Sequence, residues 1–163
     1  VEKTPKNVLW FDQILKYYNN KVKIIHLIRD GRDVLTSRHP EDPSKYWVTF
    51  GRYIRDLNAG MKFMDHSNVL TVRYEDLIQN YKQTITNVCE FIGEETTEEI
   101  LNWFDHASVR KNEAWFDKVE KLHSNSIGKW NKPDNEERLK NIMNNDEIVK
   151  ILKQLNYTCD EQQ

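Results

Sequence analysis

Glycine and proline are scarce, five and four in 163 residues, which argues against a disordered or low-complexity chain. Cysteine occurs twice, as Cys89 and Cys159, and these two match no metal or redox spacing, while the five histidines are scattered singly; a ligand cluster for a metal is therefore not indicated. So few thiols leave both oxidising and reducing compartments open. An excess of one charge is lacking as well: 24 basic residues face 26 acidic ones, a formal net charge of -2. No global field then recruits nucleic acid or an anionic membrane, and any anion site must be local. The longest apolar stretches, such as Val22 to Ile28, fall far short of a bilayer span, and no signal-peptide pattern opens the chain. The chain reads as soluble, with no transmembrane segment. Its localisation is open: the cytoplasm suits a bacterial chain, the membrane or the Golgi lumen one with an upstream anchor.

What is present suits a single domain over residues 1–163 with a real core. Pro5 disfavours helix at Thr4, and a helix is expected from Val8 to Tyr18, closed by Asn19 and Asn20. Val22 to Ile28 is nearly all apolar, which suits an interior strand of a parallel sheet. A tight turn and a helix start follow at Arg29 to Ser37. Trp47, Phe50, Tyr53, Ile54, Leu57, Met61 and Met64 recur at helical spacing within 42–66. Val69 to Tyr74 reads as a second strand, and 75–92 as a helix ended by Gly93. Cys89 falls inside that apolar pattern and is expected in the core. A further helix over 96–106 is expected to be capped by Thr96 or Thr97. Residues 111–132 read as a functional loop, and helical periodicity resumes over 133–155. The alternation argues an α/β fold with parallel strands and crossover helices.

The junction at Arg29 carries the most chemistry. It sets a guanidinium beside the N–H groups that open a helix, a combination that binds phosphate, at the carboxyl end of a parallel strand where ligands gather. Ser37 follows eight residues on, and its side chain leans back toward the helix start. An ordinary capped turn at Arg29 and Asp30, with Ser37 merely small against the sheet, is the plain alternative.

Ile28-Arg29-Asp30-Gly31-Arg32-Asp33-Val34 through Ser37 resembles the sulfotransferase superfamily, in which a strand-end Arg and a Ser eight positions on grip the 3′-phosphate of 3′-phosphoadenosine 5′-phosphosulfate (PAPS). Four further segments match in order. Glu2-Lys3-Thr4-Pro5 is similar to the Glu-Lys segment of the glycan sulfotransferases, whose Glu is the catalytic base. The resemblance implies Glu2 as base, its pKa raised by burial, and Lys3 as an electrostatic helper to the transferred sulfuryl group. Pro5 stands where cytosolic members carry the His base, so the His mechanism is unavailable. Val72-Arg73-Tyr74-Glu75-Asp76-Leu77 is similar to the strand-end Tyr-Glu-Asp-Leu, which places Tyr74 near the adenine and leaves Glu75 and Asp76 to cap the next helix; packing of Tyr74 in the core is the alternative. His106-Ala107-Ser108-Val109 resembles a His-Thr-Ser-Phe stretch near the adenine and makes Ser108 a candidate, with Val109 in place of the aromatic. Ser126-Ile127-Gly128-Lys129-Trp130 is similar to the Gly-x-Trp loop that closes over the nucleotide. Cytosolic members carry Arg-Lys-Gly just upstream, where this chain has His123-Ser124-Asn125, so Ser126, Gly128 and Lys129 are the candidates here.

The resemblance implies a P-loop-NTPase-like parallel sheet flanked by helices, with the first strand and the P-loop missing, since no Gly-rich basic loop for the 5′-phosphosulfate occurs in the chain. It implies transfer of a sulfuryl group from PAPS to an acceptor hydroxyl of unread class, with PAP (adenosine 3′,5′-bisphosphate) as product and no metal. The chain is then expected to be a truncated form with at most residual activity alone. A homodimer at the exposed sheet edge is a further expectation, which sedimentation reads. Rival readings are a non-catalytic PAP-binding module, a P-loop kinase relative using ATP and Mg²⁺, and a helical interaction protein that binds no nucleotide.

Overall fold

The computed structural model describes residues 1–39, 41–103 and 124–157. Its sheet has two strands, β1 (Ile24–Ile28) and β2 (Val69–Arg73), paired in parallel with Ile24 opposite Val69 and Ile28 opposite Arg73. Parallel neighbours need a crossover, and this one carries α2 (Gly31–Thr36) and α3 (Phe50–Met61). The mixed α/β class read from the sequence holds, as a parallel sheet flanked by helices.

The entry to the sheet differs in detail from the expected single helix. Pro5 opens a 3₁₀ turn over Pro5–Trp10, and α1 (Phe11–Tyr17) continues from it. Proline is tolerated in a first turn because its missing N–H would lack a partner there anyway. Asn19 and Asn20 then end the helix with φ of 49° and 57°, a conformation asparagine accepts more readily than most residues.

The long helices expected over 42–66 and 75–92 are shorter or divided. In the first, Ser44 donates its backbone N–H to the Asp42 carboxylate (3.2 Å), Arg38 bridges antiparallel to Tyr46, and Thr49 caps α3 by accepting the Arg52 N–H at 3.3 Å. These local bonds take the residues before Phe50 out of the helix. In the second, Asn80 leaves helical geometry (φ -124°, ψ 42°) and separates α4 (Tyr74–Gln79) from α5 (Tyr81–Ile92). Gly93 closes α5 as expected, at φ 81°. The Thr97-capped α6 spans only Glu98–Leu101. After 3₁₀ turns at Lys129–Asn131 and Pro133–Asn135, the last stretch forms α7 (Glu136–Met143) and α8 (Asp146–Gln154). Asn145 accepts the Ile148 N–H at 3.1 Å, starting α8 rather than letting α7 run on.

Two apolar clusters result. The larger joins Ile28, Leu35 and Tyr53 to Ile142, Ile148, Ile151, Leu152, Leu155 and Tyr157. The smaller joins Val8, Phe11 and Leu15 to Val69. Cys89 is buried, as expected. Among the described residues, no helix is long and apolar enough to cross a membrane.

Candidate functional site

Beyond Ile28 the backbone turns through Arg29 and Asp30 into α2. The Asp30 carboxylate accepts the Arg32 backbone N–H at 2.9 Å and grips the Arg32 guanidinium at 2.7–3.2 Å. The Asp30 N–H goes to Glu75 Oε1 at 2.9 Å, and the other Glu75 oxygen accepts the Tyr157 hydroxyl at 2.9 Å. One carboxylate therefore ties the end of β1 to the end of the chain's described part. Glu75 and Asp76 lie in the first turn of α4, but no side chain caps that helix, so the capping role read for them is replaced, for Glu75, by this tie. The Tyr157 hydroxyl is pushed well above the usual tyrosine range, first by burial and then by the Glu75 carboxylate.

The expected exposed row of N–H groups at the start of α2 is partly spent on Asp30. Arg29 is the open group. Its guanidinium lies 4.7 Å over the Tyr74 ring, donates to the Ser126 carbonyl, and stands 3.5 Å from Asp33 Oδ2 with a quarter of the side chain exposed. Its Nε–H is buried without a partner among the described residues. A buried donor left unmatched costs free energy that an anionic acceptor would recover.

Asp33 is the second centre. Its carboxylate is fully buried and accepts the Gly128 N–H at 2.9 Å on Oδ2 and the Trp130 N–H at 3.0 Å on Oδ1. Gly128 has φ 73°, the left-handed geometry that glycine enters without penalty, and this aims both amides at Asp33. The Arg32 guanidinium covers the Trp130 ring at 4.1 Å. The 126–131 segment is thus bolted onto the strand-to-helix junction.

Of the sequence-predicted residues, Arg29, Tyr74, Ser126 and Gly128 come together here. Tyr74 opens α4 rather than ending β2. Ser37 does lean back, but its hydroxyl donates to the Asp33 carbonyl at 2.7 Å. Lys129 is exposed beside this group, with its carbonyl held by Asn135 Nδ2 at 2.9 Å. Glu2 and Lys3 are exposed ahead of the first turn. The burial expected to raise the Glu2 pKa is absent: the Thr4 hydroxyl donates to its carboxylate and holds it below the usual range. Ser108 lies outside the described residues, as do 104–123 as a whole. Among the described residues no group of three His, Cys, Asp or Glu could hold a metal ion. A cavity of about 300 Å³ beside β2, lined by Leu70, Thr71, Arg73, Asn87 and Leu155 among others, includes none of the predicted site residues.

Asp33 and Glu75 are the residues that sequence reasoning left without these roles. For Asp33 a signal existed, an acid one helical turn after Arg29 on α2. For Glu75 none did, since its partners lie 45 and 82 residues away.

The family model of the sulfotransferase domain matches residues 11–155. Among curated proteins the chain is similar to 3-alpha-hydroxysteroid sulfotransferase of Cavia porcellus, 27% identical over 119 residues, which covers 60% of this chain and 42% of that protein. It is also similar to sulfotransferase 2A1 of Homo sapiens, 28% identical over 104 residues (53% and 36%), and to sulfotransferase 2B1 of Mus musculus, 25% identical over 104 residues (53% and 31%). The chain spans less than half the length of each of these relatives. No solved structure gives a significant match.

Proposed function

The chain belongs to the sulfotransferase family, and from that premise we propose that it holds the 3′-phosphate end of PAPS while a sulfuryl group passes to an acceptor hydroxyl. The observation that carries this reading is the Arg29 guanidinium at the mouth of β1, stacked on Tyr74, with a buried N–H that has no partner among the described residues. Ser126 and Gly128 meet Arg29 or its partner Asp33, Lys129 follows them in the loop, Ser37 bonds the Asp33 carbonyl, and Tyr74 offers a ring for the adenine side. The hydroxyl proton of Ser37 must leave the Asp33 carbonyl before it can serve a phosphate oxygen. Glu2 as base and Lys3 as electrostatic helper enter on the resemblance of their segment, which lies outside the matched 11–155. The steroid alcohol in the name of the Cavia porcellus relative is a first acceptor to try.

Calorimetric titration with PAP, using 5′-AMP as control, tests the phosphate site. The native chain is expected to prefer PAP, and Arg29→Ala to lose that preference by roughly ten- to a hundredfold, the worth of one charge-assisted hydrogen-bonding group. An unchanged preference in Arg29→Ala would sink the assignment.

A second reading, nucleotide binding without transfer, is favoured by the exposed Glu2 with its lowered pKa, which suits a base poorly. PAPS-dependent turnover separates the two. Loss of about 10²-fold or more in Glu2→Gln at unchanged PAP affinity supports transfer with Glu2 as base. PAP binding with no turnover, even when the upstream phosphosulfate-binding segment is supplied, supports the second reading.

A further inference from the structure

We infer that Asp33 is a positioning residue for the nucleotide site, a latch that holds the 126–131 loop closed on Arg29 before any ligand arrives. This rests on the reading of Arg29 as the 3′-phosphate ligand. The carboxylate meets three donors: the Gly128 N–H at 2.9 Å, the Trp130 N–H at 3.0 Å and the Arg29 guanidinium at 3.5 Å. Both oxygens are therefore used, and the buried charge is compensated rather than left facing an incoming anion. The two amides come from 95 and 97 residues downstream, so this side chain ties α2 to the loop, with the Arg32 guanidinium over the Trp130 ring beside it. The loop returns the Ser126 carbonyl to Arg29, and the guanidinium is fixed between that carbonyl, Asp33 and the Tyr74 ring.

The consequence is preorganisation. A free arginine side chain loses rotamer entropy when ordered, and a site that has already ordered it binds its anion more tightly by that saving. Asparagine at position 33 offers one acceptor and adds two donors against three donors, so it cannot keep the set. Without the carboxylate the loop parts from α2, Arg29 loses two of its restraints, and the cost falls on recognition of the 3′-phosphate alone.

The test is calorimetric titration of the full chain with PAP and with 5′-AMP in the native form, in Asp33→Asn and in Arg29→Ala. In Asp33→Asn the preference for PAP over 5′-AMP should fall about tenfold while 5′-AMP affinity stays within about twofold. Equal losses for both nucleotides would make Asp33 a merely structural residue and overturn the inference. A preference erased by Arg29→Ala but kept in Asp33→Asn overturns the latch and leaves the phosphate site standing. A native chain that does not prefer PAP overturns both. Should Asp33→Asn fail to fold, amide exchange on the native chain decides: slow exchange of the Gly128 and Trp130 N–H groups without ligand supports the latch, and fast exchange overturns it.

Discussion

His26 sits at the centre of β1 with 8% of its surface exposed, edge-on to Phe11 at 5.5 Å, and its Nδ1 has no hydrogen-bond partner among the described residues. The imidazole also lies against Gly60 of α3, where an added Cβ would come within 2.3 Å of the ring. Burial depresses its pKa below the ordinary 6.5, because an imidazolium here would carry a buried charge and an unmatched N–H. The sign follows from linkage. Below the ordinary value the unfolded chain takes up a proton that the native chain refuses, so stability is full above it and falls as pH drops. For one group the slope is at most about 1.4 kcal/mol per pH unit. Urea unfolding between about pH 7.5 and pH 5 should show the native chain losing stability faster than His26→Leu, since every other titrating group is common to the two. Parallel pH profiles would mean that His26 protonates without penalty.

At the scale of elements, what could be read from the sequence is what local chemistry decides. β1 and β2 are apolar runs between turn residues, and both appear within two residues of their expected limits. Gly93 and the Asn19-Asn20 pair end their helices because few other residues accept positive φ. The breaks were less legible. The apolar spacing through 42–66 continues across Pro43 and the Thr49 cap, so periodicity alone overran the true start of α3 at Phe50. Asn80 divides the 75–92 stretch with no glycine or proline to announce it, while the Thr84 hydroxyl donates to the Asp76 carbonyl at 3.1 Å across the break. The site divides in the same way. The placement of Arg29 between a strand end and a helix start and the backward lean of Ser37 were legible because these are local motifs, whereas Tyr74, expected to end β2, opens α4. Asp33 was legible only as an acid one helical turn from Arg29; its bonds to the amides of Gly128 and Trp130 were not, because no local pattern pairs residues so distant in sequence. The exposure of Glu2 was not legible for a related reason: burial is a property of the assembled fold, and the segment similar to a catalytic one stands in solvent.

For the whole molecule the question is whether two apolar clusters make one folding unit or two. We propose that residues 1–163 fold as one, because β1 and α3 each serve both clusters. β1 gives Ile28 to the larger cluster and packs Ile24 against the smaller. α3 buries Tyr53 in the larger, with Met61 packed on it, while Gly60 on the same helix lies against Val8 of the smaller. Losing either cluster therefore removes support from the strand and the helix that the other needs, which is the condition for all-or-none unfolding. Leu152→Ala in the larger cluster and Phe11→Ala in the smaller should each lower the stability of one common transition, by about 2–5 and 3–5 kcal/mol respectively. Far-ultraviolet dichroism and tryptophan fluorescence, followed together through a urea titration, should trace one curve in all three proteins. Two resolved steps, with Phe11→Ala moving one and leaving the other in place, would show the sheet to be a seam between separate units and the latch at Asp33 to belong to only one of them.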